Sequence, residues 1–163
     1  MTLDLTKPQI QDLPSIKEIL SQWNDESETQ KYFQRIENEI KGQIEFDMKF
    51  WVLKDEKKVL GIGGLSNCQP KLKPFIQTNN PKELKTIFLN QAFRGKGFGR
   101  KLVELLQSKS LSLGYKELLL VSAEKYRETA YGFYLNLGFK QLGEVEGGEV
   151  GEKMAVFSKL LTK

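Results

Sequence analysis

Three glycines and four cations share one short stretch of the chain. Residues 90–101 read NQAFRGKGFGRK, and the apolar spacing of a helix follows directly. Glycine backbone can approach a ligand closely and adopt left-handed angles, because it has no Cβ. The first N–H groups of a helix lack internal partners and lie at the positive end of its dipole. This combination predicts a seat for a phosphate or a diphosphate.

The spacing of the stretch excludes two common phosphate loops. A P-loop needs Gly-Lys followed by Ser or Thr, and here Lys96 is followed by Gly97. A dinucleotide fingerprint, G-x-G-x-x-G counted from Gly95, would need glycine where the chain has Arg100. The alternative without a function is a flexible, glycine-rich turn whose basic side chains are simply exposed to solvent.

Two motifs together resemble one enzyme family. The first fits R-x-x-G-x-G and consists of Arg94, Gly95, Lys96, Gly97, Phe98 and Gly99. The second is AYGFYLNLGF at residues 130–139, with the ending FYxxLGF. With these motifs, which span roughly residues 83–139, the chain resembles the GCN5-related N-acetyltransferase (GNAT) family. The resemblance implies acetyl-CoA as co-substrate, a primary amine as acceptor, and direct attack of that amine on the thioester.

The resemblance also implies where the coenzyme binds. The diphosphate would lie on residues 94–100, including Lys96, Phe98 and Arg100. In the family, two central parallel strands splay apart and the pantetheine arm pairs with the exposed backbone. Here those strands would be ELKTIFLN and KELLLVSA. The resemblance assigns the pairing with the pantetheine arm to the backbone of Phe88 and Leu89. The Leu89 N–H is the expected donor to the thioester carbonyl.

Catalytic residues are implied in the same way, each beside a structural alternative. Tyr134 matches the family tyrosine that protonates the departing thiolate, or else it is a core aromatic. Glu83 matches a glutamate that could deprotonate the amine, or else it is a structural acid at a strand end. Arg127 stands where many relatives carry an asparagine that touches the coenzyme, so contact at this position is left open. Aromatic residues that could line the acceptor pocket, or simply fill the core, are Trp23, Tyr32, Phe33 and Trp51.

The amino-acid composition alone limits which catalytic groups and metal sites the chain can have. The 163 residues contain no histidine and one cysteine, Cys68, and carry a formal net charge of +4. A catalytic triad with histidine is therefore excluded, one cysteine without histidine argues against structural zinc, and we expect no metal. An unpaired cysteine fits a reducing, cytoplasmic compartment. No apolar run could span a bilayer, and no dense basic stripe indicates nucleic-acid binding.

Hydrophobic periodicity predicts the element order β-α-α-β-β-β-α-β-α-β-β. Helices are expected at 13–23, with Asp12 as N-cap, at 27–42, at 95–114 and at 127–138. The unit of strand 83–90, helix and strand 116–123 is a crossover, so its strands should run parallel. The prediction is a single α/β (α+β) domain over residues 1–163. Its mixed, partly splayed sheet would have six to seven strands, with helices on both faces.

Two other functions remain open at this stage. The same fold could bind acyl-CoA as a sensor without catalysis. A dinucleotide-binding protein is the second, with Glu124 after KELLLVSA as the ribose-binding acid. The identity of the amine and the oligomeric state, a homodimer included, are not defined by the sequence.

Overall fold

The computed structural model describes residues 2–148 and 151–162, and within these ranges its elements follow the predicted order. The strands are β1 (Leu3–Thr6), β2 (Lys49–Asp55), β3 (Lys58–Ser66), β4 (Pro81–Leu89), β5 (Glu117–Ala123), β6 (Lys140–Glu146) and β7 (Lys153–Leu160). The α-helices are α1 (Leu13–Trp23), α2 (Glu26–Ile40), α3 (Phe98–Ser112) and α4 (Gly132–Asn136). A 3₁₀ turn, Gln91–Phe93, follows β4, and a π-helical turn, Arg127–Tyr131, precedes α4.

The described strands form one mixed sheet in the order β1-β2-β3-β4-β5-β7-β6. The ladder between β4 and β5 is parallel, whereas β2 with β3 and β5 with β7 are antiparallel. The parallel ladder pairs Pro81–Glu83 with Glu117–Leu119 and ends there. The predicted mixed, partly splayed sheet is therefore confirmed.

The chain clusters into two compact units. Unit 1 comprises Met1–Ser66 and Lys85–Leu106, and unit 2 comprises Asn67–Leu84 and Gln107–Lys163. In unit 1, apolar side chains of α1 and α2 pack on β2 and β3, with Ile16, Leu20 and Ile36 fully buried. In unit 2, a smaller core gathers around Leu119 and Val156. Whether the chain acts as a single domain stays a prediction.

The start of α1 differs from the prediction. The Asp12 side chain makes no capping bond to the helix, because its carboxylate is otherwise engaged. Its Oδ1 lies 2.7 Å from Lys54 Nζ, and its Oδ2 accepts from the Gln9 amide at 2.9 Å. Asp12 does occupy the N-cap position as predicted, but without a capping bond, and its side chain joins α1 to β2 instead. By contrast, Asp25 caps α2, since its side chain accepts from the Glu28 amide at 2.8 Å.

Two glycines of β3 allow neighbouring elements to approach its backbone closely. A Cβ at Gly63 would lie 2.5 Å from Leu106 Cδ1 and 2.9 Å from Ile87 Cδ1. At Gly61 it would lie 3.1 Å from the Phe88 carbonyl oxygen. The two contacts at Gly63 could form only if Leu106 and Ile87 shifted, and the contact at Gly61 would be tight against a backbone oxygen, so glycine at both positions favours close packing.

The helix around the second motif is shorter and less regular than predicted. Residues 127–131 form a π-helical turn, and the α-helical part runs only over Gly132–Asn136. Gly138 follows with φ +92°, a conformation that ends helices. None of the described helices combines the length and apolar character that crossing a membrane requires.

Candidate active site

The loop between β4 and α3 holds two glycines in left-handed conformations. Gly95 has φ +75° and Gly97 has φ +82°. A Cβ added at either glycine would meet no atom within 4 Å, so open space lies beside this backbone. Glycine is needed here for its backbone angles, and the space beside the loop can accommodate a ligand.

The first amides of α3 lie directly after these glycines. The helix begins at Phe98, not at Gly95 as predicted, because the left-handed angle of Gly97 cannot continue a helix. The first α-helical hydrogen bond runs from the Lys101 amide to the Gly97 carbonyl at 3.1 Å. The amides of Phe98, Gly99 and Arg100 therefore precede the intrahelical ladder and can serve an anion.

The four cations of the loop have exposed side chains. The Arg94 guanidinium lies over the Trp23 ring, 5.0 Å from its centroid. Lys96 Nζ lies 5.8 Å from the centroid of Phe93. Arg100 Nε is 3.8 Å from Glu104 Oε1, in a pair with about half of each side chain exposed, which is weak in water. Each of these interactions is therefore weak enough to yield to a phosphate.

The end of β4 carries backbone strain. Thr86 has φ +58°, an outlier for a β-branched residue. The Asn90 amide donates to the Leu60 carbonyl of β3 at 2.8 Å. The Leu89 carbonyl instead accepts from Trp23 Nε1 at 2.7 Å. The predicted coenzyme-binding backbone of Phe88 and Leu89 thus belongs to a strand that departs from regular pairing.

Tyr134 lies in an aromatic cluster of unit 2. Its ring centroid is 5.1 Å from that of Phe133, 5.7 Å from that of Phe139 and 6.0 Å from that of Phe157. Burial raises the pKa of Tyr134 to about 12, because the charged phenolate would lose its hydration. The phenol consequently keeps its proton throughout the neutral pH range.

Tyr131, on the same turn of the chain, is a core aromatic, the structural alternative that the sequence analysis gave for Tyr134. It is 8% exposed, and its hydroxyl donates to the Ser122 carbonyl at 3.3 Å. Its ring packs edge-on against Phe157 with centroids 5.2 Å apart. Tyr131 therefore fixes the π-helical turn against β5 and β7.

Glu83 is a buried carboxylate with local partners in unit 2. It is 2% exposed. Its Oε1 accepts from the Gln69 amide at 3.0 Å, and its Oε2 accepts from Gln69 Nε2 at 2.8 Å. These bonds anchor the loop that follows β3. They give direct support to the structural alternative for Glu83.

Arg127 faces solvent in this structure. Its Nη2 lies 3.1 Å from Glu124 Oε1, and both side chains are more than half exposed. The pair is local, since the two residues are three positions apart on the chain. Contact between Arg127 and a coenzyme stays open.

Sequence reasoning missed the network that joins the end of α1 to the residues after β4. Gln22 Oε1 accepts from the Gln91 amide at 2.9 Å, and Gln91 Nε2 donates to the Gln22 carbonyl at 3.0 Å. The sequence indicates Trp23 only as a pocket or core aromatic. The partners in this network are nearly 70 positions apart on the chain, and no local motif marks such a pair.

Comparison with known proteins shows the family. The family model described as acetyltransferase (GNAT) family matches residues 13–139, most of the chain. The chain belongs to the acetyltransferase (GNAT) family. The resemblance inferred from the two motifs is confirmed, and the chain is thereby identified as an acetyltransferase. A search of curated proteins finds no match.

Solved structures show the same fold at low sequence identity. A candidate acetyltransferase of the GNAT family from Desulfovibrio desulfuricans superposes with a TM-score of 0.82, at 14% identity, over 99% of this chain and 100% of that one. A chimera of spermidine N-acetyltransferase SpeG from Vibrio cholerae and hSSAT gives 0.75 at 20% identity, over 99% and 96%. The PaiA N-acetyltransferase from Thermoplasma acidophilum, in complex with coenzyme A, gives 0.70 at 16%, over 98% and 99%.

The raised pKa of Tyr134 predicts a loss of stability at high pH. Between about pH 10 and pH 12 the unfolded chain releases this proton and the folded chain keeps it, so stability falls as pH rises. The free energy of unfolding should fall by up to about 1.4 kcal/mol per pH unit relative to Tyr134→Phe. Urea denaturation at several pH values measures both proteins, and parallel pH profiles would contradict the raised pKa.

The contacts of Glu83 predict a structural cost on neutralisation. Glu83→Gln replaces an accepting oxygen by a donor that faces a donor of Gln69, and should destabilise the fold by roughly 1–3 kcal/mol. Glu144→Gln, at an exposed carboxylate on β6, is the control and should stay within about 0.5 kcal/mol. If Glu83→Gln instead keeps full stability and loses turnover, the residue acts in catalysis rather than in folding.

Proposed function

We propose that this protein transfers an acetyl group from acetyl-CoA to a primary amine. The observation that carries the proposal is the loop before α3, where Gly95 and Gly97 are left-handed and open on one side. The amides of Phe98 to Arg100, which precede the intrahelical ladder, follow at the positive end of the helix dipole. A diphosphate is the anion that such a seat fits, and the family motif falls on the same residues.

The loop binds the diphosphate mainly through its backbone. Backbone amides are held in position by the fold, so they lose little freedom when the ligand arrives. The exposed cations Arg94, Lys96 and Arg100 add attraction at longer range. They also raise the rate at which a polyanionic coenzyme reaches the site, an effect that salt should reduce.

The end of β4 is the proposed seat of the thioester. Backbone N–H and C=O groups that leave a ladder need other partners, and the pantetheine arm resembles a peptide in its hydrogen-bonding groups. We assign this pairing to Leu89. The part predicted for Phe88 is not carried further, because strand alternation turns its backbone groups toward β3, as it does the Asn90 amide. The Leu89 N–H would donate to the thioester carbonyl and stabilise the negative charge that develops there during attack.

The reaction is a direct acyl transfer. The neutral amine nitrogen attacks the thioester carbonyl carbon and forms a C–N bond, and the carbonyl oxygen becomes negative. Collapse of this intermediate breaks the C–S bond, and the sulfur leaves with the electron pair. The nitrogen loses one proton and the sulfur ends as a thiol after gaining one, so the products are the acetamide and coenzyme A. Holding both reactants in line supplies much of the rate.

Tyr134 is the proposed partner of the departing sulfur. Its pKa of about 12 keeps the hydroxyl protonated and available at neutral pH. Full transfer of that proton to a thiolate of pKa about 8.5 would be uphill by roughly 3.5 pK units, close to 5 kcal/mol. Donation of a hydrogen bond while the C–S bond stretches is therefore the more favourable form of help. Water then completes the protonation.

The amine must arrive at the thioester without its extra proton. An alkylamine with a pKa near 10 is mostly protonated at neutral pH. Glu83 is the candidate base from the family pattern, but its hydrogen bonds with Gln69 favour the structural alternative. Transfer of the proton to water, with the small neutral fraction of amine reacting, needs no protein base.

A sensor that binds acyl-CoA without turning it over is the second candidate. The engaged carboxylate of Glu83 favours it, because a sensor needs no base. Thiol release from acetyl-CoA with a panel of amines separates the two functions. The enzyme releases coenzyme A above background with at least one amine, whereas the sensor binds acetyl-CoA tightly and releases none.

The location and further partners of the protein stay predictions. The cytoplasmic location follows from the single cysteine, and the absence of nucleic-acid, membrane and metal partners follows from composition. A homodimer stays open, as does the amine itself. The dinucleotide-binding alternative is set aside, because the chain belongs to the acetyltransferase family.

Gly97→Asp is expected to abolish tight binding of acetyl-CoA. A carboxylate at this position would stand a few ångströms from the diphosphate, and like charges at that distance cost several kcal/mol near a protein surface. Isothermal titration calorimetry should show at least about a hundredfold rise in the dissociation constant. Gly114→Asp is the matched control, since Gly114 has φ +84° and open space beyond the other end of α3. Equal losses in both variants would contradict the proposed seat.

Tyr134→Phe is expected to lower turnover and leave coenzyme affinity nearly unchanged. Phenylalanine keeps the packing with Phe139 and Phe157 and removes only the hydroxyl. The loss of a hydrogen bond made to the departing sulfur should reduce kcat by about tenfold to a hundredfold. Steady-state kinetics with calorimetric binding of coenzyme A measures both quantities. A variant with full kcat would remove Tyr134 from the reaction.

A further inference from the structure

Trp23 is an exposed aromatic residue that contacts two parts of the proposed coenzyme site. It is the last residue of α1 and is 37% exposed. Its Nε1 donates to the Leu89 carbonyl at 2.7 Å. The Arg94 guanidinium lies over its ring, 5.0 Å from the centroid. One side chain thus touches both the thioester-holding residue and the first cation of the diphosphate loop.

The hydrogen bond to Leu89 locates the indole ring relative to the chemistry. In an extended strand, the N–H and C=O of one residue point toward the same edge. The next residue, Asn90, directs its amide toward Leu60 of β3, so the polar groups of Leu89 face the opposite edge. Trp23 therefore lies on the edge where the Leu89 N–H is proposed to hold the thioester carbonyl. A thioester carbonyl held by the Leu89 N–H would therefore lie near the indole, and so would the amine that attacks it.

Arg94 has two competing partners. In this structure its guanidinium interacts with the Trp23 ring, at a distance typical of a cation–π interaction. A bound diphosphate would offer it charge-assisted hydrogen bonds, which are stronger than a cation–π contact at an exposed site. Binding of the coenzyme therefore favours movement of Arg94 from the ring to the diphosphate.

The ring itself is held in place when Arg94 leaves. Two hydrogen bonds join Gln22 to Gln91, at 2.9 and 3.0 Å, and fix the end of α1 to the turn after β4. Together with the bond from Trp23 to Leu89, they fix the indole without help from Arg94. The vacated face would then be an aromatic surface that binds a cation.

We propose that this face of Trp23 binds a positive charge of the amine acceptor after coenzyme A has drawn Arg94 away. The inference rests on the proposed acetyl transfer. The reacting nitrogen must be neutral when it attacks, so the charge on the ring belongs to another group of the acceptor. The substrate class is therefore an amine with at least one further ammonium group, such as a diamine or a polyamine. The coenzyme binds first, because it opens the face.

Tryptophan fluorescence tests the movement of Arg94 without any acceptor. The chain has two tryptophans, and the other one, Trp51, is buried at 4% exposure. Titration with coenzyme A should change the emission of the wild-type protein and leave that of Trp23→Phe unchanged. Arg94→Gln should bind coenzyme A more weakly and, at saturating coenzyme A, show no such change. Arg35→Gln removes another arginine from an aromatic face, that of Tyr32, and should respond like the wild type.

Kinetics with two matched amines test the cation site. Wild-type protein should have a lower KM for 1,4-diaminobutane than for 1-aminobutane, which lacks the second charge. Trp23→Leu should raise the KM for the diamine about tenfold more than the KM for the monoamine, because loss of the indole bond to Leu89 affects the reaction of both amines alike. Trp23→Phe, which keeps an aromatic face, should retain most of the preference and serves as the second variant if Trp23→Leu folds poorly.

The outcomes separate this inference from the proposed function. Coenzyme binding without a change in Trp23 emission, or equal KM values for both amines in wild type and Trp23→Leu, would overturn the inference alone. A wild-type protein that binds no coenzyme A would overturn the proposed function and this inference with it. An emission change that depends on Arg94, together with a diamine preference that depends on Trp23, would support both.

Discussion

A strand that leaves its ladder must find other partners for its backbone N–H and C=O groups, because unpaired polar groups are costly to shield from water. In this protein the constraint acts on β4, whose parallel ladder with β5 ends after Glu83. Beyond that point Thr86 takes a left-handed conformation, and the Leu89 carbonyl is satisfied by the indole of Trp23. The proposed site arises where regular pairing stops, since only there can a peptide-like ligand meet free backbone.

The chemistry assigned to this protein relies on groups that hold one protonation state across the neutral range. The chain has no histidine, and Tyr134 keeps its proton up to a pKa of about 12. The loop at Gly95 and Gly97 is proposed to bind through peptide groups, which do not titrate. The pH dependence of turnover should consequently reflect the ionisation of the amine more than that of the protein. Such a design suits a reaction in which the substrate carries the proton that must be removed.

Helices and strands with a strong hydrophobic periodicity were predictable, because apolar residues at a regular spacing determine which face of the element is buried. The sequence located α1 and β5 to within two residues, and it indicated the glycine loop from its glycines and cations at the start of a helix. The predicted start of α3 is wrong because glycines before a helix resemble glycines inside it until their backbone angles are known. The π-helical turn at Arg127–Tyr131 and the ion pair of Asp12 with Lys54 depend on tertiary packing, and no local pattern reports them. The contact of Trp23 with Leu89 joins distant segments and required the structure for the same reason.

The glycines of this chain fall into two kinds that would leave different signatures under saturation mutagenesis. At Gly63 a Cβ would press on Leu106 and Ile87, so large replacements should reduce the amount of intact protein in the cell. At Gly95 and Gly97 a side chain has room, and the penalty lies in backbone angle and in ligand access. Replacements there should leave abundance largely preserved while activity is lost. Comparing an abundance screen with an activity screen would therefore separate packing glycines from glycines of the proposed binding loop.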